Sequence, residues 1–522
     1  MKAKRGEILS SDGKVLATNS PSYAVYVRTK SVKDAEKVSK TLGEIFGTDK
    51  QKLKQKIQSK KTSEITVKRQ VEKSVVEKLA ELDLDGVYYS VDNTRIYPYG
   101  DLLCSVLGYV SVDGQGQSGV EKYYDKYLKG VDGEILYESD LTGGDLEGKT
   151  PVYTESSDGL TLILNIDYEI QSVVETALKK VIDEYSPKRC SAVVLAPDSG
   201  KVLAMANLPS YDLNEPPRDD IQTLNLLSRN SIVVDSYEPG STFKIVTALA
   251  NIEEYLNKNP AAKSLNYVFP SSKYRVIQGG KIKCWSSHQN GKHLNQTLSD
   301  ALNNSCNPCF TDIALSLGKD TFYEYISGLN FGKVTGIDFN GEASGMIIPK
   351  SAVTEGDLAR IGFGQSVAVT PIQLAAACAA AVNGGVYYQP QILSEIKTKD
   401  GKTVEIIRPS AVKRVASEKA SRILASYLER VVGEGSGKQS YIEDYKVAGK
   451  TGTAQKFENG VLSQGKYVTS FVGFFPSDNP KYLCLLTVDE AIGGTYGSTV
   501  AAPAVGEIFR GIINAKSIAP SK

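Results

Sequence analysis

Histidine is scarce, with two in 522 residues, so a serine nucleophile in this chain is one to look for beside a different base. No run of about 18 apolar residues occurs, and the polar start Met1–Arg5 does not read as a signal peptide. Net charge is nearly absent, at +1 from 61 basic and 60 acidic residues, which gives nucleic acid or an anionic surface no hold. Internal repeats of the solenoid kind and low-complexity tracts are missing too. What remains is an ordinary globular composition, 41% hydrophobic and 23% charged, long enough to bury at least two cores.

Within it, Ser241 precedes Lys244 by three residues in the stretch Tyr237–Lys244. On a helix that spacing puts hydroxyl and amine on one face, a turn apart. An ordinary lysine has a pKa of roughly 10.4, so burial or a neighbouring cation must lower it toward about 7 for it to act as a base. Gly240 permits a tight approach to the helix start, where backbone N–H groups meet incoming negative charge. Alone, a Ser-x-x-Lys pair is equally a solvated helix face.

Two further clusters change that. Ser305 and Asn307 flank Cys306, 64 residues beyond Ser241, and Lys450-Thr451-Gly452-Thr453 follows 145 residues beyond Ser305. Ser-x-x-Lys, Ser-x-Asn and Lys-Thr-Gly in this order are the joint signature of penicillin-binding proteins and serine β-lactamases. Ser305 and Asn307 can reach a site from a turn between helices, as proton relay and as amide clamp on substrate. Residues 446–455 read as an edge strand, where Gly452 leaves room for a substrate to add as a further strand. Lys450 would hold a carboxylate there and help keep Lys244 neutral. Gly449-Lys450-Thr451 is not the tail of a phosphate loop, since Asp444 stands where such a loop needs glycine.

The chain resembles class B penicillin-binding proteins, the membrane-anchored peptidoglycan D,D-transpeptidases, over nearly its whole length. Arg5–Ile8 and Asp12–Ala17 are similar to the segment after the family's anchor. Arg95–Gly100, Leu107–Val110 and Gly116–Glu121 resemble its non-catalytic domain, and Leu203–Ala206, Gly362–Gln365 and Thr370–Gln373 resemble later landmarks. The resemblance implies a penicillin-binding transpeptidase fold at 156–522, an antiparallel sheet flanked by helices, behind an elongated α+β pedestal at 1–155. It implies stem peptides as substrates, acylation by β-lactams, and a single-pass anchor upstream of Met1 with the catalytic part outside the cytoplasm. A polytopic membrane glycan polymerase of the SEDS type is the expected partner of the pedestal. Ser241, Lys244, Ser305, Asn307 and Lys450 are the expected catalytic residues, with Thr451, Gly452 and Thr453 lining the substrate and oxyanion site. A β-lactamase, a carboxypeptidase and a β-lactam sensor share the triplet but not the long N-terminal part. No Glu-x-x-x-Asn loop of the class A β-lactamase kind is seen. A scaffold that activates the polymerase, with acylation secondary, is the alternative of another class.

Pattern changes subdivide the chain. Tyr23–Arg28 alternates like a strand, and the lysine-rich stretch Val32–Gln70 has apolar residues at helical spacing. From Leu160 onward, strand patterns such as Cys190–Leu195 and Tyr482–Val488 bracket a long helical middle.

Five of the nine cysteines and histidines, Cys284, His288, His293, Cys306 and Cys309, fall between positions 284 and 309. Cys284, His293, Cys306 and Cys309, with His288 as alternate to His293, make a four-ligand set of the kind zinc takes in closed structural sites. Such a zinc would fix the turn that presents Ser305 and Asn307. Buried unmodified thiols and a disulfide are the other readings.

Overall fold

The structure is a computed structural model describing residues 2–136, 152–270, 272–285, 293–458 and 461–521; His288 lies outside the described residues. Strands β1 (Ile8–Leu9), β2 (Val15–Arg28), β3 (Glu64–Val71) and β4 (Val87–Ile96) build the N-terminal part, with β2 antiparallel to β1, β3 and β4. Helices Ala35–Phe46 and Lys50–Ser59 cover it, packing Val38, Leu42, Leu53 and Ile57 on Val25 and Val27. Asp34 and Asp49 start them by accepting from the N–H groups of Lys37 and Lys52. The helical reading of Val32–Gln70 therefore holds only to Ser59. Beyond it Ile65, Val67 and Val71 alternate with polar residues, and period two, not 3.6, governs the segment.

The segments flagged near the start converge on one buried carboxylate. Glu121, fully buried, accepts from Arg5 Nε at 2.6 Å, from Arg95 Nε at 2.7 Å and from the Tyr97 hydroxyl at 3.3 Å. Strand β5 (Thr161–Leu164) then runs parallel to β1, with Ile8 opposite Leu162, and strands Leu393–Lys397 and Thr403–Ile406 extend the same sheet. One seven-stranded sheet thus joins both sides of residue 155.

The second sheet holds β6 (Arg189–Leu195), β7 (Val202–Leu208), β8 (Ala448–Glu458), β9 (Val461–Phe475) and β10 (Tyr482–Asp489), in the order β8-β9-β10-β6-β7 with every neighbour antiparallel. Ala192 and Val194 face one core while Val193 and Leu195 face another, so both sides are dry. That explains why β6 reads as a continuous apolar run, not an alternation. Helix α1 (Tyr168–Tyr185) covers the first face. The second is packed by α2 (Lys244–Leu256), α3 (Leu298–Asn303), α4 (Asn307–Gly328), α5 (Pro371–Val382) and α6 (Glu418–Gly433). Helix α7 (Ala501–Ala515) returns beside α1. Among the described residues β8 is an edge strand of this sheet, lying against the turn that carries Ser241.

Candidate active site

Ser241 does not sit inside an α-helix but in a 3₁₀ turn, Gly240–Phe243, that runs into α2 at Lys244. Residues three apart eclipse one another in such a turn. The Lys244 Nζ accordingly lies 3.1 Å from the Ser241 Oγ. It also lies 2.7 Å from the Ser305 carbonyl oxygen, 3.1 Å from the Ser305 Oγ and 2.7 Å from the Asn307 Oδ1. The lysine is fully buried, and burial lowers its pKa to about 8 against a smaller upward pull from Cys284, Cys306 and Cys309. The lowered pKa arises here from burial, which disfavours the charged form of a lysine in a dry site.

The turn between α3 and α4 delivers Ser305 and Asn307. Ser305 takes a left-handed conformation, φ 53°, which swings both its carbonyl and its hydroxyl onto Lys244. Cys306 is the residue that precedes α4, and Pro308 stands in the first turn, where its missing N–H costs nothing. Asn307 also donates from Nδ2 to the Lys283 carbonyl at 3.2 Å.

Strand β8 supplies the third side. Lys450 is fully buried, its Nζ 3.3 Å from the Thr451 carbonyl, and burial followed by the charge of Lys244 pushes its pKa well down. The Thr451 Oγ1 meets the Ser436 Oγ at 2.9 Å, and the Thr453 Oγ1 accepts from Gly497 N at 3.1 Å. Gly452 is also required by the protein's own packing. A Cβ there would stand 2.4 Å from the Ser470 Oγ, 3.0 Å from the Thr242 Cγ2 and 3.1 Å from the Pro239 oxygen, so the missing side chain seats the nucleophile turn on the strand. Gly364, in the landmark Gly362–Gln365, does the same from behind. Its φ is 86°, a Cβ would collide with the Gly240 oxygen at 2.0 Å, and its own carbonyl accepts from Gly240 N at 2.9 Å. Sequence reasoning marked that stretch without a role, and missed Ser436 altogether, since a serine between glycines in a loop carries no signal.

Of the cysteine-rich stretch, Cys284, His293 and Cys306 come together, with ligand atoms within 4.8 Å of one another. Cys284 Sγ is 3.3 Å from His293 Nδ1 and 3.8 Å from Cys306 Sγ. Cys309 is not within that group; its sulfur accepts from Gln296 Nε2 at 3.7 Å. Hydrogen bonds from Cys284 and Cys309 push the Cys306 thiol down, and the same contacts, with burial, push the other two up. All seven cysteines are free, and the disulfide reading is not realised.

The sheet, the pedestal and the three converging motifs define a serine acyl-transfer architecture. The chain belongs to the penicillin-binding protein family: residues 190–510 match the penicillin binding protein transpeptidase domain and residues 1–164 the penicillin-binding protein dimerisation domain. It is 37% identical over 523 residues to stage V sporulation protein D of Bacillus subtilis, covering 99% of this chain and 79% of that one. It is 29% identical over 524 residues to peptidoglycan D,D-transpeptidase FtsI of Escherichia coli, covering 99% and 84%. A peptidoglycan synthetase of Bifidobacterium adolescentis shares the fold with a TM-score of 0.79 at 23% identity, over 100% of this chain and 97% of that. No described helix is long and apolar enough to cross a membrane.

Proposed function

We propose that this chain crosslinks peptidoglycan stem peptides as a serine D,D-transpeptidase and is acylated by β-lactams at Ser241. The observation that carries the reading is the buried Lys244 amine, held at once to Ser241, Ser305 and Asn307 within 3.1 Å. Neutral Lys244 takes the Ser241 proton, and Oγ adds to the carbonyl of the penultimate D-alanine. Backbone N–H groups of Ser241 and Thr453 receive the oxyanion, each worth about 3 kcal/mol. Ser305 passes a proton to the departing D-alanine nitrogen as the C–N bond breaks. The amine of a neighbouring stem peptide then attacks the ester, its proton goes to Lys244, and Ser241 is released protonated. Asn307 orients the peptide; Lys450 and Thr451 hold the terminal carboxylate. A β-lactam follows the first half and stays, because its leaving group remains tethered. Intact mass after benzylpenicillin tests this: wild type gains one adduct, and an adduct on Ser241→Ala refutes the assignment.

Residues 1–155 act as a pedestal for the transpeptidase unit at 156–522. The pedestal docks on a membrane glycan polymerase of the SEDS type, and Tyr89 and Val91, exposed on β4, offer apolar surface for it. A single-pass anchor holds the protein outside the cytoplasm. Cys284, His293 and Cys306 hold a structural zinc, with Cys309 the nearest further thiol. Support comes from the 3.8 Å separation of the Cys284 and Cys306 sulfurs, since tetrahedral Zn–S bonds of about 2.3 Å set the sulfurs roughly 3.8 Å apart. The metal's part is to pin the turn bearing Ser305 and Asn307.

A further inference from the structure

Three residues ahead of Ser241, Glu238 lines a cavity of about 540 Å³ beside the far end of β8. Ile347, Val367, Ala454 and Val468 give it apolar walls, with Met346, largely exposed, at its lip. Two charged residues reach the lining, and they differ in how they are matched. Lys456 is neutralised by Asp489 and Glu490, each at 2.7 Å. Among the described residues Glu238 has no ion pair, and its carboxylate accepts one hydrogen bond, from Ser366 N at 2.9 Å. Burial accordingly raises its pKa. A half-buried carboxylate against apolar walls is costly until a cation meets it.

The direction of the substrate says which cation. This step rests on the reading above, in which Lys450 holds the terminal carboxylate of the donor. The donor then runs along β8 from Lys450 toward Gln455, at about 3.3 Å per residue. Its last two residues occupy the stretch beside Lys450–Thr453, and the third residue from the end comes level with Ala454 and Gln455, which wall the cavity. We propose that this cavity receives the side chain of that third residue, a diamino acid whose alkyl stem packs on Ile347 and Val468 and whose ammonium pairs with Glu238. Glu238 is thus a specificity determinant for the donor strand.

The test compares acylation rates, as kcat/KM, for donor peptides ending in X-D-Ala-D-Ala with X as lysine, Nε-acetyl-lysine or norleucine. Wild type is expected to prefer the lysyl donor by tenfold or more. In Glu238→Gln, which keeps an oxygen to accept from Ser366 N, that ratio is expected to fall to within twofold. A preference that survives Glu238→Gln overturns the role of Glu238. Equal rates for the three donors with wild type overturn the proposal even if the variant does not fold. Benzylpenicillin separates the two levels: wild type that takes no adduct fails as a serine acyltransferase, whereas an acylated protein with a flat donor ratio fails only here.

Discussion

Lys244 and Lys450 are two fully buried amines in one site, and the charge of the first lowers the pKa of the second. Two ammonium groups cannot share so dry a place cheaply, so protonation of one opposes protonation of the other. This coupling shapes how the protein answers to pH and to anionic ligands.

The acylation rate is expected to follow the neutral form of Lys244, rising about tenfold per pH unit below its pKa of about 8 and levelling above it. Stopped-flow acylation across pH 6 to 10 measures this. A profile flat down to pH 6 removes Lys244 as the base. Because its folded pKa lies below the unfolded value of about 10.4, the unfolded chain binds more protons between the two, and stability climbs with pH in that window.

A ligand carboxylate at Lys450 favours its ammonium form. Binding of a slowly reacting anionic donor in mildly alkaline buffer should therefore take up protons, seen as a calorimetric enthalpy that varies with the ionisation heat of the buffer. The dependence is expected to vanish in Lys450→Met.

Gly452→Ala pushes a methyl toward Ser470, Thr242 and Pro239. Overpacking of this kind costs about 1 to 3 kcal/mol. The expected result is a lower melting midpoint together with slower acylation, since relief of the clash moves the turn bearing Ser241. Normal acylation would mean that the strand tolerates the extra volume.

Glu121→Ala leaves the guanidinium groups of Arg5 and Arg95 buried without their shared carboxylate. Loss of one partner of a buried pair costs about 3 to 5 kcal/mol. Denaturant unfolding followed by pedestal tyrosine fluorescence should show it, with benzylpenicillin acylation the less affected of the two properties.

Protein purified without a histidine tag is expected to carry about one zinc per chain and to melt lower after chelation. Cys284→Ser and Cys306→Ser should each lower the metal content. Less than about a tenth of an equivalent in wild type would leave the three side chains as a plain buried cluster.

Residues close in sequence made the site readable in part. The spacing of Ser241 and Lys244, and of Ser305 and Asn307, fixes side chains against one another through one turn of backbone, so proximity followed from local geometry. The same logic failed at Glu64–Val71, where lysines disguised a period-two pattern.

Taken alone, the order of residues determined the pairing of Ser241 with Lys244 and of Ser305 with Asn307, the edge-strand character around Lys450 and the presence of two buried cores, because each depends on neighbours a few positions apart. Only the folded chain decided that Gly452 and Gly364 clamp the turn of Ser241, that Arg5, Arg95 and Glu121 meet, and that Glu238 faces an apolar cavity level with Ala454. These contacts join segments up to two hundred residues and more apart, and their distances are set by how the sheets and helices pack, which no local spacing encodes.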